Sequence, residues 1–480
     1  MPFLIKGRND IQMKQIFNPY LPSYEYIPDG EPHIFGERLY IYGSHDRFGG
    51  EDYCVNDYVC WSAPLEDLSN WKFEGTIYRK TQHPYSVGRN ILFAPDVVQG
   101  KDGRYYLYYS VADSAIMSVA VCDTPAGSYQ YYGDVRDRNG HVAGSSSGDF
   151  FQFDPGVFLD EDGRIFLFSG FCPGRLEDAQ GRKFVGCHMC ELEDDMITIK
   201  RGPEIILDRN TPCPEEQRYF EAPSLRKFHG RYYLIYSVRI GGLHYYISDR
   251  PDGGYRYGGR IHSTSDVGIN GHSVENPAYP NGNTHGSLIE IQGNYYIFDH
   301  RLTNHSSYCR QGVAEQVWIE EDGRILQVEA TSCGLNRGPL LGIGSYPAYI
   351  ACTLIDQNQY ISKEEQKKRG ICITQEGEDR ECEPGQFIQN IQENCLIGYK
   401  YFSFTENTKV TFTVRGNAEG KIQIRTTETG KIEAELVLYI CSKEWKKVTG
   451  EFFVRREKSG FYLAFVGKGS FDLLTIEFEK

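Results

Sequence analysis

A short strand pattern, a Gly followed by a run rich in Tyr, Phe, Leu and Ile, returns five times along the chain. The copies are GERLYIYGS from Gly36, GRYYLYYS from Gly103, GRIFLFSG from Gly163, GRYYLIYS from Gly230 and GNYYIFDH from Gly293, at intervals of 67, 60, 67 and 63 residues. That period exceeds a helical solenoid repeat and suits four short strands with their loops, which is one blade of a β-propeller. Five copies predict five blades. Turns such as Lys101-Asp102-Gly103 and Glu161-Asp162-Gly163 lead into the copies as in hairpins. Aromatics at 14%, with 51 Gly and 21 Pro, favour short strands over long helices, so an all-β chain is expected.

The residues upstream of each Gly matter more, because one phase of every blade points to one place around the axis. Asp29 lies seven residues before Gly36, Asp154 nine before Gly163, Glu221 nine before Gly230 and His285 eight before Gly293. Blade two reads Phe93-Ala94-Pro95-Asp96 there. Acids at positions that ordinarily pack against neighbours are costly unless they serve a site. Carboxylates clustered near a poorly solvated axis repel one another, their pKa values separate, and that separation assigns acid and base roles.

With these residues, Asp29, the Asp154-Pro155 pair and the Glu221-Ala222-Pro223 triplet, the sequence from about residue 15 to 345 resembles glycoside hydrolase family 43. The resemblance implies a five-bladed propeller with Asp29 as general base, Asp154 as the acid that tunes and orients, Glu221 as general acid, and inversion at the anomeric carbon. An inverting pair needs its carboxyls roughly 6.5 to 9.5 Å apart to admit a water. Asp154 is expected to hold Glu221 protonated through its own negative charge. The family usually has Asp-Pro at the first site, whereas this chain reads Asp29-Gly30-Glu31-Pro32, so Glu31 is a rival base. Strand residues two apart share a face, and Asp29 is favoured on its offset to Gly36.

The resemblance also implies that His285 helps hold a calcium ion at the axis, with water as the other ligands, and that Arg310 in YCRQG binds substrate hydroxyls and the acid. A hydrogen-bonded histidine and a surface arginine are the plain alternatives. Phe93 stands where the family has a tryptophan and is expected to stack on a sugar or to pack in the core. His45 and Asp46, in GSHD after the first aromatic strand, are expected at the pocket mouth or in a simple turn.

After Pro347 a charged KEEQKKRG stretch precedes alternating runs such as KVTFTVRG, GKIQIRTT and GFYLAFVG, which predict a β-sandwich. Domains are therefore expected at residues 1–345 and 346–480. From Cys395 onward the sandwich resembles a family 6 carbohydrate-binding module, with Phe471-Asp472 near the last strand, no Asn of the family's ligand face, and Trp445 at a structural position.

A net charge of −14 opposes a nucleic-acid partner. The start MPFLIKGRND lacks a signal-peptide apolar stretch, and no run approaches the roughly 18 apolar residues of a membrane span, so a cytoplasmic protein without membrane attachment is expected. Fourteen scattered cysteines read as reduced thiols, and the lone Cys187-His188-Met189-Cys190 lacks the second ligand pair of a structural zinc site. The expected activity is inverting exo-hydrolysis of a terminal pentose from plant-type oligosaccharides, α-L-arabinofuranose ahead of β-D-xylose. An endo-arabinanase and a non-catalytic glycan-binding propeller are the alternatives.

Overall fold

The computed structural model describes residues 16–85, 91–380 and 385–480. The segment MPFLIKGRND, on which the export expectation rests, lies outside them. Five antiparallel sheets follow one another along the chain. Blade 1 consists of Glu31–Phe35, Arg38–Tyr42, Tyr58–Pro64 and Lys72–Tyr78, and blade 2 of Asp96–Gln99, Tyr105–Tyr109, Ser118–Cys122 and Gln130–Asp134. Blade 3 comprises Gly156–Leu159, Ile165–Ser169, Cys187–Leu192 and Ile199–Leu207, and blade 4 Glu221–Phe228, Arg231–Ser237, Leu243–Ser248 and Arg256–His262. Blade 5 has three strands among the described residues, Leu288–Ile291, Asn294–Thr303 and Ser306–Val317.

Each Gly-aromatic copy supplies the second strand of its blade. The repeated Gly has a turn to make: Gly36, Gly103, Gly163, Gly230 and Gly293 all have φ between 60° and 85°, the left-handed region that a Cβ disfavours. The first strands of neighbouring blades touch one another, blade 1 with blades 2 and 5 and blade 3 with blades 2 and 4, which places them innermost. The ring closes where Gly30 bridges to Gly286 and where the Asn18 side chain bonds the backbone of Ala314 in blade 5 at 3.0 Å, as donor and as acceptor.

Large apolar and aromatic side chains of the second, third and fourth strands fill the seams. Tyr42, Tyr58, Tyr78 and Tyr109 pack between blades 1 and 2, and Phe166, Phe168, Leu234 and Tyr236 between blades 3 and 4. Burying one such side chain contributes about 1.5–3 kcal/mol, so each seam is held by several. The charged KEEQKKRG stretch forms one short helix, Lys363–Arg369, capped by Ser362, whose hydroxyl accepts from Glu365 N at 3.1 Å.

The C-terminal β-sandwich is built on three long strands, Lys409–Arg425, Ile432–Glu451 and Arg456–Glu479, over a core that includes Phe404, Phe412, Phe452, Phe461 and Phe478. Its sheet also takes in Leu340–Leu341 and Gly344–Pro347. Phe471 is buried in this core, Asp472 binds Arg415 at 3.0 Å, and Arg415 stacks over Trp445 at 4.3 Å. The thirteen cysteines among the described residues are free, and no described helix is long and apolar enough to cross a membrane.

Candidate active site

The leading ends of the inner strands bring Asp29, Asp154, Glu221 and His285 together from four blades. The backbone there is unusual: Asp29 has φ 58°, Asp154 φ 47° and Ala222, after Glu221, φ 63°. Left-handed conformations at non-glycine residues cost free energy and persist where the surroundings over-determine them. Close approach of blades 3 and 4 contributes, since a Cβ on Gly156 would sit 2.0 Å from the carbonyl oxygen of Pro223. The Ala222 N–H bonds the Asp154 carboxyl across this seam.

Asp29 is buried but not alone. Arg310 Nη1 donates to its Oδ1 at 3.0 Å, and His300 Nδ1 accepts from its backbone N–H at 3.3 Å while His300 Nε2 meets the Asn283 carbonyl at 3.0 Å. Burial pushes the Asp29 carboxyl up, but the Arg310 guanidinium, first among the opposing groups, holds it below the usual carboxylate value. Arg310 is 2% exposed, so it is no surface arginine. Its Nε and Nη2 bind the two oxygens of Asp46 at 2.8 and 2.9 Å, a bidentate pair that fixes the guanidinium plane.

Glu221 behaves oppositely. Burial, then the negative charge of Asp29, push its carboxyl up to about 8 against the pull of Arg310. Asp154 is itself pushed well up by burial, Glu221 and Asp29. The negative charge that raises Glu221 is that of Asp29, which binds Arg310. Aromatic residues flank these acids. Phe93, Phe153, Phe171 and Phe220 form a half-buried chain with ring centroids 5.5, 5.2 and 5.0 Å apart, and Phe153 and Phe220 immediately precede Asp154 and Glu221.

Glu31 is turned elsewhere. Its Oε2 accepts from Arg226 Nη2 at 2.5 Å and from Ser224 Oγ at 3.0 Å, both of blade 4, and burial pushes its carboxyl up to about 8. The shared-face rule fails here because Asp29 is not extended, so its side chain does not follow the strand alternation that Glu31 obeys. His45 and Asp46 lie in the loop that follows the first aromatic strand. Asp46 is fully buried behind Arg310, and His45 is 3% exposed with Nδ1 on the Asp57 carbonyl and Nε2 facing Arg380 of the C-terminal domain, so neither lines a pocket mouth. Asp96, the blade-two acid, ties inner strands together by binding His33 and the Val157 N–H at 2.7 Å each.

His285 is buried, and burial lowers its pKa to about 4, so its imidazole is neutral. Its Nε2 lies 3.8 Å from Glu31 Oε1, a buried oxygen without a hydrogen-bond partner, and its Nδ1 lies 3.8 Å from Asp154 Oδ2. A neutral nitrogen and a carboxyl oxygen without a hydrogen-bond partner fit a cation or water at the axis, although calcium would draw most of its six to eight oxygens from water. His300, the end of the fifth repeat copy, went unassigned in the sequence. The signal was present, since three of the other copies end in Ser at that place, including Ser44.

The profile of the Glycosyl hydrolases family 43 matches residues 28–325. A Xylosidase/arabinosidase of Thermoclostridium stercorarium is 45% identical over 471 residues, covering 96% of this chain and 98% of its own. Among solved structures, a GH43 beta-xylosidase/alpha-arabinofuranosidase from a compost microbial metagenome, in complex with xylotriose and in calcium-free form, is similar with TM-score 0.52 and 25% identity, covering 64% of this chain and 96% of its own. A GH43 arabinoxylan arabinofuranohydrolase from Bacillus subtilis, in complex with cellotetraose, has TM-score 0.51 and 19% identity over 96% of this chain and 97% of its own, so the whole two-domain fold is shared.

Proposed function

The chain belongs to glycosyl hydrolases family 43, and from that membership we propose that it is an inverting exo-glycosidase that removes a terminal pentose from short plant-type oligosaccharides, α-L-arabinofuranose ahead of β-D-xylose. The observation that carries this reading is the opposite displacement of two buried carboxyls in one cluster, Asp29 low and Glu221 up to about 8. A lectin needs hydroxyl partners and has no use for a separated acid and base. The xylosidase and arabinosidase names of its relatives support the sugar class.

In the proposed reaction the Glu221 carboxyl gives its proton to the glycosidic oxygen as that bond breaks. The Asp29 carboxylate takes a proton from a water whose oxygen bonds the anomeric carbon from the opposite face. Asp29 loses its proton and Glu221 regains one from solvent, which restores the site. Arg310 keeps Asp29 ionised, and the phenylalanine collar excludes water and offers a face for the sugar ring, Phe93 included. His285 and Glu31 Oε1 would face a calcium ion whose part is to fix the axial side chains.

The test is hydrolysis of para-nitrophenyl α-L-arabinofuranoside and β-D-xyloside, with proton NMR of the first sugar anomer released. Release of the inverted anomer is expected. A retained anomer would exclude water activation by Asp29, and no turnover of either compound would favour the glycan-binding alternative.

The pH profile is a second expected outcome. The active form needs Asp29 ionised and Glu221 protonated. Activity, kcat/KM, therefore rises as pH climbs through an Asp29 pKa below the ordinary carboxylate value and falls as pH rises through about 8. A descending limb near pH 4 to 5, the ordinary carboxyl range, would remove Glu221 as the acid.

A further inference from the structure

The blade 1 loop between Tyr42 and Tyr58 carries Asp46 and Cys54, and it has no strand of its own. Asp46 is what seats Arg310 on Asp29. A loop of this length holds one geometry only if something ties it. Part of the tie is internal: Asp46 Oδ1 accepts from Cys54 N at 3.0 Å, and Asn56 Nδ2 donates to the Asp46 carbonyl at 2.9 Å.

The rest comes from the C-terminal domain. After its strand Cys372–Gln375, Asp379 accepts from Phe48 N at 2.8 Å through Oδ1 and from Asn56 Nδ2 at 3.0 Å through Oδ2, spanning the loop. The neighbouring Arg380 donates to His45 Nε2 at 2.9 Å and to the buried carboxyl of Glu25, which also accepts from Trp61 Nε1. Gln375 accepts from Tyr26 OH at 2.6 Å, and Tyr26 in turn gives its carbonyl to the Asp46 N–H.

We infer that Asp379 and Arg380 of the C-terminal domain are positioning residues for the reaction in the propeller, clasping the 43–57 loop so that Asp46 keeps Arg310 on Asp29. The sandwich is then part of the hydrolytic machinery rather than a tethered accessory. This rests on the reading of Asp29 as base. The groups facing Asp29 are Arg310, His300 and His285 of blade 5, with the carboxyls of Asp154 and Glu221 across the axis. None of them touches Asp379, whose bonds go to Phe48 and Asn56 of the loop, so an effect of altering it on kcat reaches the site through the loop.

The experiment uses the full chain with Asp379→Ala, Asp379→Asn and Arg380→Ala. Asp379→Ala is expected to lower kcat/KM about tenfold, with the loss in kcat and KM little changed, as the Arg310–Asp29 pair loosens. Asp379→Asn keeps one acceptor and should fall between wild type and Ala, and it carries the test if the Ala variant does not fold. Hydrogen exchange of a peptide spanning 46–56 should accelerate, while a blade 3 peptide covering 187–192 should not. An unchanged kcat in Asp379→Ala, with or without faster loop exchange, would overturn the inference while leaving the glycosidase reading intact. Full activity in Asp29→Asn would instead overturn the base assignment, and the exchange experiment would still decide whether the loop is clasped.

Discussion

Glu221→Ala is expected to cut kcat on a xylo- or arabino-oligosaccharide by about 10³-fold, the scale of a lost general acid. The sugar alkoxide leaving from an oligosaccharide is strongly basic and needs a proton as the bond breaks. Para-nitrophenolate does not, so on the aryl glycoside the same variant should lose no more than about tenfold. The descending limb near pH 8 should vanish with the carboxyl that titrates there. Steady-state kinetics on the two leaving groups read this contrast directly. Equal losses on both would show that Glu221 is not protonating the leaving oxygen.

Asp29→Asn should be as severe, about 10³-fold, but on both substrates alike, because every leaving group needs the water activated. The substitution keeps the shape and an acceptor for Arg310, and Arg310 retains its two bonds to Asp46, so the fold should survive. A further sign follows from electrostatics. The charge of Asp29 is one cause of the raised Glu221 value, so removing it stabilises the Glu221 carboxylate and lowers its pKa. The residual activity of Asp29→Asn should therefore begin to fall at a lower pH than wild type. A descending limb that stays near 8 would mean that the two carboxyls do not sense one another, and a small loss of activity would return attention to Glu31.

Much of this was legible because propeller repeats are local. Each Gly-aromatic copy needs only its own left-handed turn and its own hairpin, and Asp154-Pro155 and Glu221-Ala222-Pro223 sit at a constant offset from it. The partners of those acids are remote. Arg310 meets Asp29 across 281 positions and Asp46 across 264, and no spacing rule connects them. His45 and Asp46 looked like pocket-mouth residues because a polar pair after a strand ordinarily faces solvent. Arg310 of blade 5 binds Asp46 and Arg380 of the C-terminal domain binds His45 instead. The collar of Phe153, Phe171 and Phe220 was hidden among 27 phenylalanines.

By itself, then, the sequence determined an all-β chain of five repeating units with acids at one phase of the repeat, since period, turn glycine and strand alternation are short-range properties. Only the tertiary structure decided which acid lies beside a fixed cation, that Asp29 and not Glu31 meets Arg310, and that the sandwich reaches back onto blade 1. Charge, desolvation and clasping depend on what lies beside a carboxyl in space, and ring closure brings together residues that the chain keeps hundreds of positions apart.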